Sequence, residues 1–221
     1  MIPADLLHPV LLFAAYPLWL LVLAKAVWMA PWQRLRGSHE QHVLLGAIVS
    51  LLLLWQLQAG IKPGLGFHFL GITLIALMFG RPLAFLVASV VVVGTMMADG
   101  LDFTALAVNA LVFAVWPVML SISVCKLVHT RLPRNVFLYI FGCGFFGAAI
   151  AVAGVIALQV TLLLLSGTYG FDEIANNFLP FVPLLLLPEG TVNGMLVAVM
   201  VGFRPDWLWT FDEKSYFGPP R

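Results

Sequence analysis

The sequence predicts an all-α polytopic membrane protein of about seven transmembrane helices, with its N-terminus outside and its C-terminus in the cytoplasm. Three observations predict it. Of 221 residues, 62% are hydrophobic and only 10% charged, with a mean hydropathy of +1.04, whereas soluble domains carry about 25% charged residues. The apolar residues fall in continuous runs rich in Leu and Ala, without the alternation of a membrane strand. The cations, finally, collect in four places separated by those runs.

A bilayer core of about 30 Å needs roughly 20 residues of helix, and that ruler delimits the elements in order. The first span runs from Pro9 to Met29. Its flank, MIPADLLHPV, has no basic leader and no small-residue cleavage site follows, so it reads as a retained span rather than a signal peptide. The second runs from His42 to Gln58. The third, Phe67 to Phe79, is short, and the fourth covers Pro82 to Ala98. Keeping these two apart spares Arg81 a place in mid-membrane. The fifth, Thr104 to Cys125, contains Asn109. The sixth, Val136 to Leu165, is about 45 Å long as a helix and must tilt, protrude or break. Its Gly142, Gly144, Gly147 and Ala151 have the small-residue spacing that lets another helix approach, as internal packing first. The seventh runs from Phe178 to Phe203, and residues 1–221 form one integral membrane domain with 205–221 as a short cytoplasmic tail.

Orientation follows from the rule that short cationic loops stay in the cytoplasm. Lys25, Arg34 and Arg36, then Arg81, then Lys126, Arg131 and Arg134, then Arg204, Lys214 and Arg221 all fall on one face. The other face has Lys62 with Asp5, Asp99, Asp102, Asp172 and Glu173. A net charge of +1 offers no basic field for nucleic acid; the medium is membrane lipid. No phosphate-binding loop occurs, so the chain is no ATPase. Cys125 and Cys143 lie in apolar runs without zinc or disulfide spacing and read as small buried hydrophobes.

Polar groups in hydrocarbon are costly and mark candidate sites. His68, in GLGFHFLG, lies near the outer end of the third span and is the leading candidate for a metal ligand. His8, Asp99 and Asp102 share its depth and face, and nitrogen and oxygen donors there suit a divalent transition metal. Their plainer use as helix-end, loop and interfacial groups is preferred. Asn109 reads as interhelical glue or support to a ligand. Glu189, in LLPEGTVNG, is expected in a helix broken at mid-depth by Pro183 and Pro188, either neutral or bonded to a neighbouring helix. His39, His42 and His129 read as solvated groups on the cytoplasmic face.

Three segments, PGLGFHFLGITLIALMFGRPLAFLVAS, ADGLDFTALAVNALVFAVWPVM and PEGTVNGMLVAVMV, together resemble the CbiM/NikM family, the substrate-binding membrane subunits (S components) of cobalt and nickel energy-coupling-factor ABC transporters. The matching positions are His68, Gly71, the FGRP turn, Gly100, Asn109, Glu189 and Gly190. The resemblance implies a permease of the bacterial cytoplasmic (inner) membrane that binds cobalt or nickel at its outer face as substrate, with no permanent cofactor. It also implies a coupling membrane subunit and ATPase subunits as partners, and His68 as a ligand. Where the family has a histidine after the initiator methionine this chain has Ile2, followed by Pro3, so His8 is the only nearby imidazole. Two other readings stay open: a non-transporting interaction or assembly protein on the same scaffold, and uptake of an organic micronutrient.

Overall fold

The computed structural model describes residues 1–217; Gly218–Arg221, including Arg221 of the expected tail, lie outside the described residues. In chain order the elements are α1 (Pro9–Met29), α2 (Ser38–Trp55), β1 (Gln58–Lys62), β2 (Leu65–His68), α3 (Ile72–Ala98), α4 (Phe103–Arg131), α5 (Val136–Leu165), α6 (Phe171–Phe203) and α7 (Glu213–Phe217). Among the described residues, α1, α3, α4, α5 and α6 are long and apolar enough to cross a membrane. The helix α2 opens on the polar SHEQH and becomes apolar only from Val43. The protein is a mostly helical, polytopic membrane protein.

The third expected span is not a simple helix. Phe67 and His68 belong to β2, which pairs antiparallel with β1 in the register Gln58↔His68 and Ala59↔Phe67 around a Pro63–Gly64 turn. The turn at Pro63–Gly64 sends the chain back along β1, so the first residues of the expected span pair as strand before helix can begin. Helix begins only at Ile72 and reaches a second departure at Gly80, whose φ of 71° and ψ of 172° are not helical. A residue with Cβ rarely adopts that φ. Beyond it, Arg81 and Pro82 open the second arm, with proline in a first-turn position that needs no N–H partner.

The two arms of α3 fold back on each other. A Cβ at Gly71 would meet Leu51 and Leu54, and one at Gly94 would meet Leu52. In a straight helix Gly71 and Gly94 would stand about 35 Å apart, yet both pack on the last turns of α2. The expected third and fourth spans are therefore a short arm, residues 72–79, and a long arm, residues 81–98. The β-hairpin stands where the rest of a third crossing would be.

Around α3, almost wholly buried, pack α1, α2, α4 and α5. The outer face of α1, with Phe13, Leu21 and Trp28, is exposed as befits contact with lipid chains. Wide π turns occupy Leu111–Val115 of α4 and Tyr139–Phe146 of α5. The break in α6 falls at Phe178–Phe181, where the last three of these residues form a 3-10 turn, and from Val182 the helix runs unbroken through Pro188. The mid-depth break expected at Glu189 is thus displaced: Pro180 and Pro183 sit in the turn and the restarted first turn, where they are tolerated.

Helix directions gather Lys25, Arg34, Arg81, Lys126, Arg131 and Arg204 at one end of the bundle, and Asp5, Lys62, Asp99, Asp102 and Glu173 at the end where the chain starts. The segment after α6 is no free tail. Trp209 and Thr210 donate N–H bonds of 3.2 Å to the carbonyls of Met78 and Leu77, groups that a helix end leaves unpaired. Leu208 and Phe211 are buried with them.

Candidate functional site

At the N-terminal end, β2 delivers His68 into an aromatic frame. Its ring lies 4.9 Å from that of Trp55 and 5.5 Å from that of Phe113, both buried. Trp55 donates its indole N–H to the Leu70 carbonyl at 2.9 Å, tying α2 to the segment after β2. His68 Nδ1 is 3.3 Å from the Phe69 carbonyl. A carbonyl only accepts, so this contact places the proton on Nδ1 and leaves Nε2 with a free lone pair. Burial first, and the charge of the Met1 ammonium second, push the imidazole from its ordinary range down to about 3. The ring is neutral, as metal ligation requires.

The start of the chain is inserted beside this ring. Ile2 is fully buried, its N–H donates to Asn109 Oδ1 at 2.9 Å, and Asn109 Nδ2 donates back to the Ile2 carbonyl at 2.9 Å. A third bond runs from Asn109 Nδ2 to Ala105 O at 3.1 Å within α4. The side chain thus pairs with both main-chain polar groups of one residue, Ile2, satisfying groups that would be costly to bury unpaired. Burial lowers the Met1 amino group below its usual range, with Asp99 opposing.

Glu189 is buried in α6 and bonded to the start of α3. Its Oε2 accepts from the Leu70 N–H at 2.9 Å, its Oε1 from the Gly71 N–H at 2.7 Å and from Asn193 Nδ2 at 2.9 Å. Gly71, at φ 63°, turns both N–H groups toward one carboxylate. Asn193 Oδ1 in turn accepts from Leu74 N–H at 3.1 Å. A carboxylate at a helix N-terminus meets unpaired donors and the positive end of the dipole. Of the two readings open from sequence, the bonded one is the geometry found, and the helix it bonds is the one that follows His68.

The other candidates are scattered. His8 is exposed and caps α1, its Nδ1 accepting from Val10 N–H at 3.3 Å. Asp102 is exposed and caps the turn before α4 through Thr104 N–H at 2.8 Å. Asp99 accepts from Gln58 Nε2 at 3.3 Å and acts on Met1 through its charge. On α5, a Cβ at Gly144 would come within 3.2 Å of the Gly194 Cα, one at Gly142 within 2.8 Å of Val128, and one at Gly147 within 3.6 Å of Thr73; Ala151 is buried. His39 lies 3.2 Å from an Arg204 nitrogen.

Sequence reasoning overlooked Trp55 and Phe113, which in an apolar run carry no signal of a site. It also separated Cys125, Cys143 and His129, whose ligand atoms all lie within 4.8 Å of one another at the cationic end. The i, i+4 spacing of Cys125 and His129 was a readable sign that they share a helix face.

A sequence model of the family described as "cobalt uptake substrate-specific transmembrane region" (CbiM) matches residues 2–207. Two solved structures resemble the fold, each with a TM-score of 0.76 at 15% identity over 91% of this chain. One is described as a truncated transition metal transporter, of which 98% is covered, and the other as a transition metal transporter, of which 92% is covered. At that identity they speak to the fold alone. No curated protein matches. A family match that spans all the crossing helices and both His68 and Glu189 carries the identification: the chain belongs to the CbiM family of cobalt-uptake substrate-specific transmembrane regions, as a membrane component of metal uptake.

Proposed function

We propose that the protein is the substrate-capturing subunit of an energy-coupling-factor transporter, binding cobalt or nickel beside His68 at the outer face of a bacterial cytoplasmic membrane. The observation that carries this reading is the inserted start of the chain, which Asn109 holds one helical turn from Phe113, the ring that packs on His68. His68 Nε2 and the Met1 amino nitrogen are the ligands, and nitrogen donors of this kind suit nickel and cobalt. Asn109 and Glu189 position them without touching the ion. Ile2 supplies no imidazole and its N–H is engaged by Asn109, so the site has fewer donors than a histidine at that position would give. ATP hydrolysis belongs to separate subunits joined through a coupling membrane subunit, and the cationic end faces the cytoplasm.

The test is a nickel and cobalt titration of chelator-stripped protein, run with His68→Ala and with one residue added before Met1. Binding that both changes weaken supports the reading, as does metal accumulation in cells that needs the ATPase subunits. No binding in the unmodified protein overturns it in favour of a non-transporting scaffold. An organic ligand retained in the presence of chelator overturns it in favour of a micronutrient carrier.

A further inference from the structure

The bundle carries a second set of donors at the end opposite His68. Cys125 and His129 lie one turn apart on the same face of α4, and Cys143 meets them from α5. Cys125 Sγ and His129 Nε2 are 3.9 Å apart, and the three ligand atoms all fall within 4.8 Å of one another. A tetrahedral ion with bonds of about 2.3 Å to sulfur and about 2.0 Å to nitrogen sets sulfur and nitrogen about 3.5 Å apart. Small rotamer changes close that difference.

The surroundings fix the donors. Cys143 sits in the wide turn Tyr139–Phe146, and such π turns concentrate at functional positions. The His129 ring stacks on Tyr139 at 5.9 Å and 11° and meets Tyr216 at 6.2 Å. The Tyr139 hydroxyl pairs with Thr210 Oγ1 at 2.7 Å, so the segment after α6 covers the cluster. Both cysteines are buried, where a lone charge would be expensive but a neutral complex would not.

We propose that Cys125, Cys143 and His129 form a second metal site, for a divalent transition ion of borderline softness such as cobalt or zinc, with one coordination position left open. Two thiolates and one neutral imidazole suit such ions, and three protein ligands leave the fourth position to water or another donor, unlike the closed four-ligand structural sites. On binding, two S–H bonds break, two metal–sulfur bonds form and two protons leave to solvent, so the buried complex carries no net charge. Its use as the receiving site for an ion leaving His68 rests on the function proposed above; the site itself does not.

The experiment is a cobalt titration of the reduced, chelator-stripped full-length protein in nanodiscs, read by thiolate-to-cobalt charge-transfer absorption. The band appears in the unmodified protein and in His68→Ala, with about two protons released per ion bound at this site. It is lost in Cys125→Ser and in Cys143→Ser, whose folding is checked by thermal melting. In the unmodified protein, bound metal protects both cysteines from alkylation. Absence of the band from the unmodified protein overturns the proposal, as does a band undiminished in both serine variants. His68→Ala that abolishes accumulation in cells but keeps the band upholds this site independently of the function assigned to His68.

Discussion

Asn109 engages the main-chain N–H and carbonyl of a single residue, Ile2, with the two ends of its amide, and this makes its substitution unusually legible. Asn109→Leu leaves the Ile2 N–H and carbonyl buried without partners, at about 1–3 kcal/mol for each group. The expected outcome is withdrawal of the first residues from the bundle, seen as faster hydrogen exchange at the N-terminus and weaker metal binding while the rest of the helices keep their protection. Glu189 makes a matched case. Glu189→Ala strips acceptors from Leu70, Gly71 and Asn193 together, whereas Glu189→Gln keeps one oxygen in place. Thermal melting in detergent is expected to show a larger loss for alanine than for glutamine, with alanine costing about 1–3 kcal/mol for each donor left unpaired.

At the scale of elements, the contact between α5 and α6 depends on the absence of side chains. Gly144→Val places a Cβ at 3.2 Å from the Gly194 backbone and beside Val197, and overpacking of this kind costs about 1–3 kcal/mol. Gly46→Ala on α2 meets nothing within 4 Å and is expected to match or slightly exceed the original in melting temperature, which makes it the control. Much at this scale was legible in the sequence. The charge of Arg81 marked a reversal, and the chain reverses at Gly80 beside it. The hairpin was not legible, because Phe67, His68 and Phe69 continue the apolar pattern of the helix that follows. The role of Glu189 was half legible: a carboxylate in an apolar run, with only Asn193 one turn on to bond it, calls for further partners elsewhere, and these are backbone N–H groups 118 and 119 residues away that no local pattern marks.

For the whole molecule, the separation of charge between the two ends makes orientation measurable with native residues. Among the described residues Lys62 is the only lysine at the N-terminal end, while Lys25, Lys126 and Lys214 belong to the other. An impermeant amine reagent applied to intact cells is expected to modify Lys62, and to reach Lys214 only after the membrane is opened. Modification of Lys214 in intact cells would reverse the orientation, and with it the side to which the proposed metal site opens. The fastening of the segment past Arg204 to the bundle has no local signal, since its Pro and aromatic content reads equally well as a solvated end; the carbonyls of Leu77 and Met78, left free at the end of the short arm, explain where it goes.

The carboxylate of Glu189 joins α6 to the loop behind His68, and the same helix runs on to the cationic end, where Arg204 follows it. A protein gripping that far end and sliding α6 along its axis by a fraction of a turn would drag the loop with it and tilt the imidazole. The linkage is that of a push rod: a shift of α6 at the cationic end would be carried by the Glu189 carboxylate to the loop that holds His68.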